Sequence, residues 1–103
     1  MTILEALQAM LEYENDNLLA KALTDNGATS TATYTSADER AVDLAAADIY
    51  LVLCSHPEFR EGSKYVNYAK GALMSLAREL MRKHGVLPTT IGAPVDSSYQ
   101  KIW

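Results

Sequence analysis

Cysteine and histidine are scarce in this chain. Cys54, His56 and His84 are the full supply in 103 residues. One thiol excludes an internal disulfide, and no Cys/His spacing of the zinc-binding kind is present. Long apolar runs are missing as well. The best, Ile49 to Cys54, is far too short to cross a bilayer. The N-terminus has no basic stretch followed by an apolar one, so no signal peptide is expected. Proline occurs only at Pro57, Pro88 and Pro94, outside every stretch with helical periodicity. No internal repeat is found. What remains is a chain of ordinary apolar content, 49%, which argues against wholesale disorder and leaves room for one domain with one core. So short a chain buries a modest fraction of its surface, which makes oligomerisation a natural supplement to its stability.

Positive charge is nearly absent from the first half. From Met1 to Tyr50 nine acidic residues face only Lys21 and Arg40, whereas from Leu51 onward seven basic residues face four acids. Either the halves neutralise each other within one fold, or copies pack acidic face against basic face. The net charge of −4 counts against a nucleic-acid binder, which usually carries a basic face.

The periodicity predicts helices. Thr2 and Glu5 make a T-x-x-E capping box ahead of Ile3, Leu4, Leu7, Met10 and Leu11. A second helix is expected from Asn15 or Asp16, with Leu18, Leu19, Ala22 and Leu23 on one face and Asn26-Gly27 as its stop. Ala28 to Thr35 has no helical period and reads as a loop or extended segment anchored by Tyr34. Ser36-x-x-Glu39 is expected to cap a third helix, nearly apolar from Ala41 to Cys54 apart from Asp43 and Asp48, and hence central in the fold. His56-Pro57 ends it, and a turn follows at Glu61-Gly62-Ser63. Tyr65, Val66 and Tyr68 fit either the start of the last helix or a short extended piece. From about Asn67 a helix is expected, with Ala69, Ala72, Leu73, Leu76, Ala77 and Leu80 inward and Gly85 at its end. The expected fold is all-α: about four helices packed around an apolar third helix in residues 1–85, and an extended C-terminal arm in residues 86–103.

Few residues carry chemistry. His56, Glu58 and Glu61 surround Pro57, which no regular helix spans, so they do not share a face as the ligands of an H-E-x-x-H helix do. Cys54 with His56 would be the one nucleophile–base pair, but Cys54 lies in the most apolar part of the chain, where a thiol stays neutral. His84 suits the negative end of a helix. Gly71, inside the last helix, suggests close approach of another helix. Asp43 and Asp48, five residues apart, point to different sides of their helix, and a base such as Lys70 or Arg78 is the expected partner of Asp48. No catalytic, cofactor or metal site is expected. The candidate binding residues are in the arm: Tyr99, Ile102 and Trp103, aromatic and aliphatic groups at the end of a polar stretch, of the types that anchor interfaces. Docking on a partner and folding back on the chain's own core both fit them.

The short capped first helix, the second ending in Asp-Asn-Gly, the Thr-rich connector, the Ala-rich AVDLAAADIYLVLCSHPEFREGS stretch and a last helix ending in MRKHG are together similar to the head–tail connector, or adaptor, proteins of tailed bacteriophages and prophages. The similarity covers Thr2 to Gly85. It implies a structural, non-enzymatic subunit of the virion neck, assembled in the bacterial cytoplasm, that forms a homo-oligomeric ring, commonly of twelve subunits. The ring would sit below the portal protein and bridge it to the next neck or tail protein, with DNA passing the lumen without sequence-specific binding and no membrane involved. A small DNA-binding module of helix–turn–helix type is the alternative. Its basic cluster, Arg78, Arg82, Lys83 and His84, falls at a helix C-terminus rather than on a recognition face.

Overall fold

The computed structural model describes residues 1–86, which fold as four α-helices: α1 (Ile3–Leu11), α2 (Asp16–Asp25), α3 (Glu39–Ser55) and α4 (Lys70–Lys83). The capping box of α1 forms as expected. Glu5 N–H donates to Thr2 Oγ1 at 3.1 Å and Thr2 N–H to Glu5 Oε1 at 2.8 Å. Ile3, Leu7 and Leu11, one turn apart, then turn into the core. Asn15 caps α2 by accepting from Leu18 N–H at 3.2 Å, and Gly27, at φ 82°, takes the left-handed position beyond its end.

The Thr-rich segment after α2 is a loop tied to the start of α1. Ile3 N–H donates to Ala32 O at 2.8 Å, Leu4 N–H to Ser30 O at 3.0 Å, and Tyr34 N–H to Met1 O at 2.9 Å. The Ala32 and Ser30 carbonyls satisfy N–H groups that the first turn of a helix leaves without partners. Among the described residues no β-strand forms, although Thr2 and Thr33 make an isolated antiparallel bridge.

The start of the third helix differs from expectation by one residue. The box is made by Thr35 and Asp38, with Thr35 N–H donating to Asp38 Oδ2 at 2.9 Å. A 3₁₀ turn, Ser36–Asp38, intervenes before α3 proper. Ser36-x-x-Glu39 and Thr35-x-x-Asp38 overlap in sequence, and the shorter aspartate reaches the backbone of the preceding threonine. The central position of α3 is as expected. Its long run of buried residues includes Ala45, Ala46, Ala47, Ile49 and Leu53, all at 0% exposure, and α1, α2 and α4 all pack against it. The alanines let these neighbours approach closely, whereas Ile49 and Leu53 fill the spaces between them.

His56 caps the end of α3 before Pro57, and a 3₁₀ turn, Pro57–Arg60, leads to Gly62 at φ 79°. Residues 64–68 are neither helix nor strand but a series of turns. Tyr65 accounts for this. Its side chain is buried, its hydroxyl donates to Leu11 O at 2.6 Å, and its ring makes edge contacts with Tyr13, Tyr50 and Tyr68. A chain committed to placing Tyr65 against the end of α1 starts its helix later, at Lys70 rather than near Asn67.

The inward row of α4 is Leu73, Ala77 and Met81, one turn apart. Leu76 and Leu80 are half-buried against the core, whereas Ala69 and Ala72, expected inside, are exposed. Met81 was missing from the expected stripe. Gly71 does not mark a close helix contact: a β-carbon there would meet nothing within 4 Å. Gly85, at φ 72°, ends the helix as expected. Val86, the first residue of the expected arm, donates its N–H to Met81 O at 2.8 Å and packs against the core.

Candidate functional site

The two aspartates of α3 do face different sides, and their partners differ from those expected. Asp43, only 5% exposed, turns toward the end of α4. His84 Nε2 lies 2.8 Å and Lys83 Nζ 2.9 Å from Asp43 Oδ2, and Lys83 also reaches Glu39 at 2.8 Å. Burial alone would push the Asp43 carboxyl up, but the hydrogen bonds and charges of His84 and Lys83 together hold it below the usual carboxylate range. Hydrogen bonds to Glu39 and Asp43 hold Lys83 above its ordinary value. The arrangement ties the start of α3 to the end of α4. His84 is therefore more than a cation placed on a helix dipole.

Asp48 is half-buried and takes no base from α4, contrary to the pairing expected with Lys70 or Arg78. It accepts from Asn26 Nδ2 at 2.9 Å, an amide that also donates to Ala22 O at 2.8 Å. Burial is the main cause that raises the Asp48 carboxyl above its ordinary value, with the Asp25 carboxylate adding to it. The residue sits on the α2 side of α3, where no α4 base reaches it.

His56 Nδ1 and Glu58 Oε2 are 3.6 Å apart and both exposed. Among the described residues, no group of three or more His, Cys, Asp or Glu side chains is placed to hold a metal ion. The buried Cys54 thiol lies 3.7 Å from Lys70 O, across the packing of α3 on α4. Tyr13 donates to Phe59 O at 2.7 Å, and Arg60 to Tyr68 O at 2.6 Å, fastening the α3–α4 connection on both sides. Three large side chains on that connection nevertheless face water: Phe59 at 37% exposure, Val66 at 51% and Tyr68 at 37%. A second surface feature is a groove of about 320 Å³ between α2 and α3, lined by Leu18, Ala22, Leu51 and Val52 together with Lys21, Asp25 and Asp48. Tyr99, Ile102 and Trp103 lie outside the described residues.

Part of the charge asymmetry between the halves is resolved inside the fold. Glu12 pairs with Lys64 at 3.1 Å, and Glu39 and Asp43 pair with Lys83, each an early acid with a late base. Sequence reasoning missed the role of Asp43. The available signal was Glu39 and Asp43 one turn apart near the start of an apolar helix, opposite a Lys-His pair at the end of another.

The described chain is thus a small all-α domain whose polar side chains mainly hold helices and turns together. Over residues 1–103 it matches the model of DUF6706, a family of unknown function, and it belongs to that family. No curated protein and no solved structure matches it. Among the described residues, no helix is long and apolar enough to cross a membrane.

Proposed function

We propose that this protein is a non-enzymatic structural subunit of a phage or prophage neck: a head–tail connector (adaptor) that assembles as a homo-oligomeric ring below the portal and bridges it to the next neck or tail protein. The observation that carries this reading is the pairing of a well-tied helical core with apolar side chains left in water. The buried polar groups Asp43 and Tyr65 serve packing between helices, whereas Phe59, Val66 and Tyr68 stand exposed on one connection. Exposed aromatic and aliphatic groups on a rigid base are what an assembling subunit offers a partner. Tyr99, Ile102 and Trp103 are the docking residues assigned to the arm. DNA would pass the lumen of such a ring without being read.

The helix–turn–helix alternative loses support from the same geometry. Of its basic cluster, Lys83 and His84 face the carboxylates of α3 rather than a duplex.

The test is co-expression with the portal protein of a phage or prophage that encodes this chain, followed by co-purification and electron microscopy of the complex. A ring of this chain on the portal is expected, and it should be lost in a Phe59→Ser/Tyr68→Ser variant that still folds. A chain that stays monomeric at high concentration and ignores the portal removes the proposal. Retention of a random duplex at physiological salt would favour the alternative.

A further inference from the structure

A cleft of about 680 Å³ opens between the turn that joins α1 to α2 and the connection from α3 to α4. Glu12 and Glu14 line it from the turn, Glu58 and Glu61 from the connection, and the exposed Phe59 lies among them. None of the described residues lining it is basic. Its carboxylates are only partly answered from outside. Lys64 reaches Glu12 at 3.1 Å and His56 lies 3.6 Å from Glu58, whereas Glu14 and Glu61 make no ion pair among the described residues. An occupant that fits this surface brings more than one positive charge and a flat group for the Phe59 ring. That favours arginine over lysine, because a guanidinium meets carboxylates through a fork of donors and stacks on aromatic rings.

Two such arginines stand on the chain's own surface. α4 packs against α3 and turns Leu73, Ala77 and Met81 inward, whereas Arg82 is exposed and Arg78, one turn before it, half-exposed. Neither makes an ion pair among the described residues, and α4 carries one acid, Glu79, against them. They are too far from their own cleft to enter it. Cys54 Sγ lies 3.7 Å from Lys70 O and Lys83 Nζ 2.8 Å from Glu39, so α4 runs antiparallel to α3. The arginines therefore lie toward the start of α3 and the cleft beyond its end, on a helix about 25 Å long.

We infer that the acidic cleft of one copy receives the Arg78/Arg82 edge of α4 from a second copy. The inference rests on reading this chain as a ring subunit and adds which two surfaces meet. Charge complementarity argues for a second copy as the occupant: carboxylates and guanidiniums left over from pairing inside the fold answer each other between copies. Because the two patches are at opposite ends of one protomer, the contact is heterologous. Each copy gives its cleft to one neighbour and its α4 edge to the other, and such contacts close into a ring when the rotation allows. The contact also covers Phe59, which the isolated domain leaves in water.

Sedimentation equilibrium of the full-length protein tests this. The unmodified chain should self-associate at low ionic strength and dissociate as salt screens the contact. Arg78→Gln/Arg82→Gln and Glu14→Gln/Glu61→Gln should each weaken association by roughly tenfold or more, with far-ultraviolet circular dichroism preserved because all four side chains are at the surface. Mixed in equal amounts, the two variants should form a dimer and nothing larger, since one intact cleft meets one intact α4 edge and the other two faces have lost their charge. An unmodified chain that stays monomeric at low salt overturns the inference, and so does association indifferent to both pairs of substitutions. A mixture that stays monomeric or grows beyond a dimer also overturns it. A ring that both variants still form on the portal removes this interface and leaves the connector reading standing. A chain that self-associates as expected but ignores the portal does the reverse.

Discussion

Replacing Asp43 by Asn changes little in shape and removes the buried one of the two carboxylates that join α3 to the end of α4. The carboxylate is 5% exposed, with His84 Nε2 at 2.8 Å and Lys83 Nζ at 2.9 Å. A hydrogen bond to a charged group contributes about 1.5–3 kcal/mol and a neutral one about 1 kcal/mol. The asparagine oxygen still accepts one bond, so the His84 contact loses roughly 1 kcal/mol. Lys83 is half-exposed and keeps Glu39, so the loss of its contact to Asp43 adds little. The expected cost at pH 7 is about 1–2 kcal/mol, or roughly 5–15 °C in Tm for a domain of this size. The pH dependence carries the sharper test. The Asp43 carboxyl titrates below its ordinary value in the folded state, so its contribution is complete above the unfolded carboxylate value. That contribution disappears as pH falls through the lower folded value. Urea unfolding of both proteins should show the full gap at pH 7 and a narrowing gap below about pH 4. Equal stability at pH 7, or a gap undiminished in acid, refutes the reasoning.

Three further outcomes are expected. Tyr65→Phe keeps the ring among Tyr13, Tyr50 and Tyr68 but leaves Leu11 O without its 2.6 Å partner; the cost should be about 1–3 kcal/mol in urea unfolding, and none would show that water replaces the hydroxyl. Asp48→Asn should stabilise the protein slightly at pH 7, by less than about 1 kcal/mol given partial exposure. Because the folded carboxyl is raised, Asp48 contributes most below its unfolded value and loses that contribution as pH rises, so the advantage of Asn should vanish in acid; a destabilised variant at pH 7 contradicts this. Gly71→Ala should be neutral or stabilising by up to about 1 kcal/mol in thermal melts, since a β-carbon meets nothing there. A loss of Tm would restore the close-contact explanation for this glycine.

The helical class, the cap at Thr2, the stop at His56-Pro57 and the burial of α3 were legible in the sequence by itself. Each depends on residues near in the chain: a hydroxyl three positions from its N–H, a proline beside the residue it restricts, apolar groups recurring at the helical period. Where two local solutions competed, the sequence could not choose. Thr35/Asp38 and Ser36/Glu39 are both plausible boxes, and the longer run from Asn67 looked as helical as the one that begins at Lys70. Tertiary structure decided these cases, because Tyr65 gains its buried acceptor on Leu11 and the rings of Tyr13 and Tyr50 only after α1 and α3 are in place. The electrostatic pairing was likewise a matter of rotation. A shift of one residue turns a helical side chain by 100°, and the packing of α4 on α3 placed Met81 rather than Ala72 inward, brought Lys83 and His84 to Asp43, and left Asp48 to Asn26. Composition predicted that the acidic and basic halves could complement each other; only the crossing of the helices determined which carboxylate met which base.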